Sequence, residues 1–371
     1  MVATDSRIVI FIRSLREGGG GAQRAMVRFA NGLQRRGYVV TIAFLLDGKA
    51  YDAELDPAIR RVTLGGGRLG LAVPALAAFL RRERPDTLFT TEPASNVICV
   101  LAKLLSRVPA RVVIREGLYP SIARRVSPYR ATRMAYALSP FVYRFANDII
   151  AIASDMASDL ARTARVPRER ITTITVNPVV TPELLAAAEQ SAPHPWLQDG
   201  GPSVILGVGR LTGQKDFANL IAAFAAVRSR RRCRLLIIGE GGERAKLEAL
   251  ARETGYEEDI ALPGFLREPF GAMRACDVFV LSSRYEGLPN VLIEALACRA
   301  AVVATDCPSG PRDVLLGGEL APLVPVGDAD ALAHAIDRVL DNPPDREILF
   351  ARAMDFTVER SLDCYLPVLF R

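Results

Sequence analysis

The 371-residue chain predicts two doubly wound α/β domains, and three observations carry that expectation. Short β-branched runs alternate with longer helical patterns, an order that builds parallel sheets covered by helices on both faces. The alternation restarts after a polar, proline-bearing stretch over residues 178–202. The chain is also too long for one ordinary core and suits two domains, each of under about 200 residues.

Residues 7–12, 39–44, 87–90, 111–115 and 148–151 read as strands, with a helix over 22–36 after the first. The second series places strands at 203–208, 234–238, 278–281 and 301–304. Domain bounds of 1–180 and 200–350 follow. The segment 356–371 lies beyond the proline-rich break at 342–344, has apolar positions of its own, and is expected to return to the first domain. Ligands of such sheets bind beyond the carboxyl ends of the strands, so two facing domains would share one cleft, and the chemistry should lie in the loops that follow strands.

Half of the residues are hydrophobic and 24% are charged, yet each apolar run is short and no stretch has the length of a membrane-spanning helix. The amino terminus passes from Asp5 and Arg7 into a short apolar run without the pattern of a signal peptide, so a cytoplasmic location is expected. Six cysteines show no CxxC pair and read as free, buried thiols. His194 and His334 are the only histidines and stand far apart, which argues against a histidine-based metal site. A net charge of +6 fits an anionic partner without choosing among nucleotide, phospholipid and nucleic acid.

Gly18-Gly19-Gly20-Gly21-Ala22-Gln23-Arg24 follows the first strand and opens a helix. Backbone amides there can approach a phosphate, favoured by the helix dipole. The pattern is not a full G-x-G-x-x-G fingerprint, which disfavours a nicotinamide dehydrogenase. In the second domain the strand 204–208 ends in Gly209-Arg210-Leu211, and Gln214-Lys215-Asp216 starts the next helix. Arg210 and Lys215 can converge on one diphosphate. The segment 282–296 joins strand, loop and helix. Pro289 suits the first helical turn, leaving the amides of Gly287, Leu288 and Asn290 to face a ligand. Glu286 lies in that loop and Glu294 more than a turn into the helix, so the two carboxylates can take different hydroxyl-bearing groups of one extended ligand. Asp328-Ala329-Asp330 looks like a metal-binding D-x-D, but Asp328 precedes a helical run and reads as its cap.

These motifs, together with I-G-E-G-G-E-R-x-x-L and the E-x7-E pair followed by A-T-D-C-P-S-G-P, resemble the glycosyltransferases of family 4, two-domain GT-B enzymes that retain anomeric configuration. The likeness covers nearly the whole chain. It implies that Arg210 and Lys215 hold the donor diphosphate, Glu294 the ribose and Glu286 the transferred sugar. Gly20 and Gly21 would face the same phosphates, and Gly264-Phe265-Leu266 would lie beside the base. It further implies a nucleotide-sugar co-substrate, UDP before GDP, no other cofactor and no metal. The acceptor would be a lipid-linked glycan at the cytoplasmic face of the membrane, with no nucleic-acid partner. Rival readings are a sugar-nucleotide epimerase of the same fold and a non-enzymatic binder of acidic surfaces.

The chain departs from the family pattern in places. Gln23 replaces the usual glutamate and removes a charge, while Arg299 and Ala301 stand where glycine and proline are usual, at a turn that glycine makes most easily. Some relatives use a first-domain histidine near the reacting sugar; none stands there in this chain, so that role is either absent or belongs to another group, for which Glu116 at the strand end Arg115-Glu116-Gly117 is the candidate. Finally, residues 107–147 hold eight arginines and one acidic residue, Glu116. Within them Met134, Leu138, Phe141, Val142 and Phe145 recur at helical spacing, with Pro140 expected to kink or interrupt the helix. This face reads either as a core-facing helix with a solvated basic side or as a dock for anionic phospholipid.

Overall fold

The structure is a computed structural model that describes residues 6–14, 21–46, 48, 51, 54–64, 69–192, 194–198 and 200–371. It divides into two compact units, Met1–Pro178 with Val358–Arg371, and Val179–Thr357.

The first unit is built on strands β1 (Arg7–Ser14), β2 (Val39–Leu46), β3 (Arg60–Thr63), β4 (Thr87–Thr91), β5 (Arg111–Glu116), β6 (Asp148–Ala151) and β7 (Ile171–Thr173). They form one parallel sheet in the order β3-β2-β1-β4-β5-β6-β7. Every residue of β4 and β6 is buried, as helices on both faces of a parallel sheet require. The chain winds outward from β1 in one direction and then, from β4, in the other. The order therefore reverses between β1 and β4.

Helix Val358–Leu369 belongs to this unit and completes its core: Val358, Leu362, Tyr365 and Leu369 pack with Phe29, Leu33 and Phe89. Gly32 makes the close approach possible. A Cβ there would stand 2.6 Å from Val358 Cγ1 and 2.8 Å from Leu362 Cδ1. Buried Arg115 locks the same helix to the sheet, donating to the Tyr365 hydroxyl at 3.0 Å, to Thr91 Oγ1 at 3.0 Å and to Asn177 Oδ1.

The second unit carries β8 (Ser203–Val208), β9 (Cys233–Ile238), β10 (Ile260–Gly264), β11 (Val278–Leu281), β12 (Val302–Thr305) and β13 (Leu323–Val324). Its parallel sheet runs β10-β9-β8-β11-β12-β13, so the winding reverses between β8 and β11. A core of Ile205, Leu220, Phe224, Leu235, Val280 and Ile336 fills one face. Asp328 caps helix Ala329–Asp341, its Oδ1 accepting from the Ala331 amide at 2.8 Å. Cys99, Cys233, Cys276, Cys298 and Cys307 are free and buried, whereas Cys364 is exposed, contrary to the expectation for a buried thiol. Among the described residues no helix is long and apolar enough to cross a membrane.

Two local expectations need correction. Pro140 lies inside helix Arg130–Val142 without interrupting it; the Tyr136 carbonyl, which proline leaves without its helical donor, accepts Ser139 Oγ at 2.9 Å instead. Arg299 makes the turn usually given to glycine. It adopts φ +59°, and its side chain is held by Glu347 at 2.8 Å and lies 3.8 Å from the Phe350 ring centre.

Candidate functional site

In an open parallel sheet the two strands flanking a reversal send their following loops to opposite faces, which opens a crevice at their carboxyl ends. In the second unit those strands are β8 and β11. The loop after β8 carries Gly209, Arg210 and Lys215; the loop after β11 carries Ser282 to Glu286. The topology thus brings together residues 67 to 71 positions apart.

Lys215 Nζ meets Glu286 Oε1 at 2.6 Å, and Ser283 Oγ donates to the same oxygen at 2.6 Å. Both members of the ion pair are largely buried, Lys215 with 13% and Glu286 with 8% of the side chain exposed. Their backbone is fixed from both sides. Ser282 Oγ donates to the Lys215 carbonyl at 2.7 Å and Gln214 Nε2 to the Tyr285 carbonyl at 3.0 Å. Arg284 pairs with Asp216 at 2.8 Å. Arg210 stands at the same crevice with its side chain exposed.

The glycine-rich and D-C-P-S-G-P segments acquire structural reasons. Gly239 and Gly241 let the loop after β9 lie on the loop after β8, where added Cβ atoms would meet the Gly209 oxygen at 1.8 Å and the Leu211 oxygen at 2.4 Å. Behind Glu286, the loop after β12 forms a wall. Pro308 O accepts the Glu286 amide at 3.1 Å, Thr305 Oγ1 donates to the Ser283 carbonyl at 2.6 Å, and Ser309 Oγ to the Gly287 carbonyl at 2.7 Å. Gly310, at φ +90°, leaves no room for a Cβ, which would come within 2.5 Å of the Gly287 oxygen. Buried Cys307 lies in this wall, its thiol pushed up mainly by burial and further by Glu286.

Helix Asn290–Ala297 starts with Pro289 as its cap residue, one position earlier than the first-turn placement expected from sequence. Gly287 and Leu288 are buried, Asn290 and Glu294 half-buried. Gly264 ends β10 at φ +102°, bonded through its carbonyl to the Gly239 amide at 2.9 Å; the neighbouring Phe265 is 66% exposed and Leu266 half-buried. Each of these residues sits at the carboxyl edge of the second sheet or on the helix that follows it.

In the first unit the picture differs from expectation. Gly20 lies outside the described residues, and Gly21 is exposed at the start of helix Gly21–Arg35. Glu116 is the clear correction: it is fully buried, and Asn96 Nδ2 donates to Oε1 at 2.8 Å, Tyr136 OH to Oε2 at 2.7 Å, and Tyr143 OH to Oε1. Burial raises its pKa, and the carboxyl serves to tie the helices Pro93–Ser106 and Arg130–Val142 to the end of β5. It has no open side for a reacting sugar.

The reversal between β1 and β4 instead presents a group that sequence reading missed. Glu92, immediately after β4, adopts φ +77° although it is not glycine. Burial raises its pKa against the opposing pull of Arg13 and a hydrogen bond from Gln23. Gln23 Oε1, Ser14 Oγ and Ser95 Oγ are buried without a hydrogen-bond partner among the described residues. Strain and unmet polar atoms at a strand-end crevice mark a place shaped for something other than stability. The signal available in the sequence was Thr91-Glu92-Pro93, a carboxylate between strand and helix start.

Comparison with known proteins fits this geometry. The model for Glycosyltransferase Family 4 matches residues 19–175, and that for Glycosyl transferases group 1 matches residues 189–354. The chain is 30% identical over 257 residues to the N-acetylgalactosamine-N,N'-diacetylbacillosaminyl-diphospho-undecaprenol 4-alpha-N-acetylgalactosaminyltransferase of Campylobacter jejuni, covering 69% of this chain and 67% of that one. It is 28% identical to the lipopolysaccharide core biosynthesis glycosyltransferase LpsE of Rhizobium meliloti over 94% of this chain and 96% of that one. Among solved structures, HepE of Anabaena in complex with UDP and glucose superposes with a TM-score of 0.78 at 19% identity, over 98% of this chain and 99% of that one. Two parallel Rossmann-like units, matches to both family models and these relatives agree: the chain belongs to the family-4 glycosyltransferases of GT-B architecture.

Proposed function

We propose that this glycosyltransferase moves a hexosyl or N-acetylhexosaminyl group from a UDP-sugar, with retention, to a hydroxyl of a lipid-linked glycan in bacterial polysaccharide or glycoconjugate assembly. The observation that carries the proposal is the Lys215–Glu286 pair beside Arg210 at the β8/β11 reversal. Arg210 and Lys215 stabilise the negative charge that grows on the departing diphosphate, supplying fixed charge in place of a metal ion. Glu286 Oε1 is occupied by Lys215 and Ser283; its Oε2 accepts a hydroxyl of the transferred sugar. Glu294 takes the ribose diol, and Gly264, Phe265 and Leu266 border the base. The relatives named above support the donor and acceptor classes: one bears a diphospho-undecaprenol-linked acceptor in its name, and one structure contains UDP.

We further propose that the enzyme works at the cytoplasmic face of the membrane. Of helix Arg130–Val142, the buried side is Thr132, Ala135, Tyr136, Ser139 and Val142, while Met134 and Phe141 are 63% and 62% exposed. Leu138, Phe145, Val126 and Tyr129 are exposed too, among Arg124, Arg125, Arg130 and Arg133. Apolar side chains amid cations suit an anionic phospholipid surface.

The test is a thermal-shift screen followed by a transfer assay. UDP-sugars should raise Tm more than GDP-sugars, since a ligand that binds only the folded state stabilises it. The preferred donor should then be transferred with its anomeric configuration kept, and in the presence of EDTA. Glu286→Gln and Glu294→Gln should each cut transfer at least about tenfold, having lost a charged acceptor for donor hydroxyls. Wild-type turnover in both folded variants, or metal-restored activity after chelation, would remove the basis of this mechanism.

A further inference from the structure

The basic, apolar face of the first unit adjoins a cavity that the docking reading does not explain. It has a volume of about 310 Å³ and is lined by Arg124, Arg162, Arg165, Thr163, Pro140 and Phe141. Three arginines line it, Arg124 from helix Pro120–Val126 and Arg162 and Arg165 from helix Ser154–Ala164 and its cap position. Arg162 and Arg165 lie outside the arginine-rich segment and join it only through the fold. Arg165 holds φ +51° at the helix end, a position that glycine occupies most easily. Asp159 is the carboxylate paired with Arg162, its Oδ1 3.5 Å away, and its Oδ2 already accepts the Ser121 amide at 2.8 Å; Asp155 of the same helix acts with it on Tyr119. The lining itself carries three arginines and no acidic side chain. Phe141, exposed on the apolar face, forms part of the rim, so a headgroup in the cavity and an acyl chain on the face would be continuous.

We propose that this cavity binds the dianionic phosphate of a membrane lipid, a phosphomonoester or diphosphate headgroup. Guanidinium forks match phosphate oxygens in pairs, so several of them around one cavity select a group with three or more terminal oxygens over a phosphodiester. The site deepens the membrane reading above and rests on it, but it makes a distinct claim: headgroup selectivity rather than attraction to negative charge.

Vesicles of phosphatidylcholine containing phosphatidic acid should bind the protein about fivefold more tightly than vesicles brought to the same surface potential with phosphatidylglycerol. Arg162→Gln with Arg165→Gln should abolish that preference while binding to phosphatidylglycerol changes less than about twofold. Arg162→Lys with Arg165→Lys, which keeps the charge and loses the fork, should lose most of the preference as well. Circular dichroism and unchanged donor-induced thermal shifts establish that the variants fold. No preference in the wild type, or a preference that survives both double variants, overturns the site. Failure to bind either vesicle overturns the docking reading with it, whereas loss of preference alone leaves docking and transfer intact. Inorganic pyrophosphate titrated without vesicles, with the donor site filled by UDP, separates the sources; saturation at about micromolar concentration that Arg162→Gln with Arg165→Gln removes would mean a site for soluble phosphate and end the lipid assignment.

Discussion

Glu92 shows how one residue can be held against its own preference. Its positive φ costs about 1–3 kcal/mol by the usual measure of such strain, and its burial raises the carboxyl pKa above 4.5. The raised value means that the folded protein binds this proton more tightly than the unfolded chain. Stability from that proton is full below about pH 4.5 and is lost as pH rises through the folded-state value. Glu92→Gln should therefore raise Tm at neutral pH, with the difference shrinking toward zero below pH 4.5, while transfer falls. A Tm difference independent of pH would show that burial of charge is not the cause. The residue was hard to see in the sequence because its setting depends on β4 lying beside β1, residues 79 positions apart in register. The placement of Glu286, Lys215 and Arg210 in strand-end loops was legible because such loops and helix starts are local features. Glu116 misled for the opposite reason: its strand-end position is local, but the tyrosines that enclose it come from another helix.

At the scale of elements, sequence reading found the strands that are buried on both faces and overlooked β3, β7, β10 and β13. β3 reads Arg-Arg-Val-Thr, β7 has three residues, and β13 has two. All four are the edge strands of their sheets, where apolar periodicity is weak. The stripe on helix Arg130–Val142 was ambiguous because periodicity reports a face, not what covers it. Only the fold shows that Tyr136 and Val142 turn inward while Met134 and Phe141 do not. The return of helix Val358–Leu369 depends on a single small residue in the helix it meets. Gly32→Leu should destabilise the protein by about 1–3 kcal/mol, the usual cost of overpacking, despite leucine's better helix propensity. Urea unfolding checks this; an unchanged midpoint would mean that the two helices can separate freely.

For the whole molecule, charge is unevenly spread, and that distribution governs where the enzyme would meet its acceptor. Each arginine near an anionic surface contributes about 1 kcal/mol, screened by salt. Replacing Arg124, Arg125, Arg130 and Arg133 with glutamine should reduce co-sedimentation with phosphatidylglycerol vesicles, and raised salt should do the same to the wild type. Equal binding to neutral vesicles would exclude the electrostatic account. The returning helix has a consequence of another kind, for the order of events during synthesis. Residues 358–369 complete the first unit's core, yet the ribosome delivers them after all of Val179–Thr357. The first unit must wait, with the apolar faces of Phe29, Leu33 and Phe89 not fully covered, while the second emerges and is free to fold. The half of the chain made first is thus the half finished last, and the nascent chain is most in need of chaperone protection during that interval.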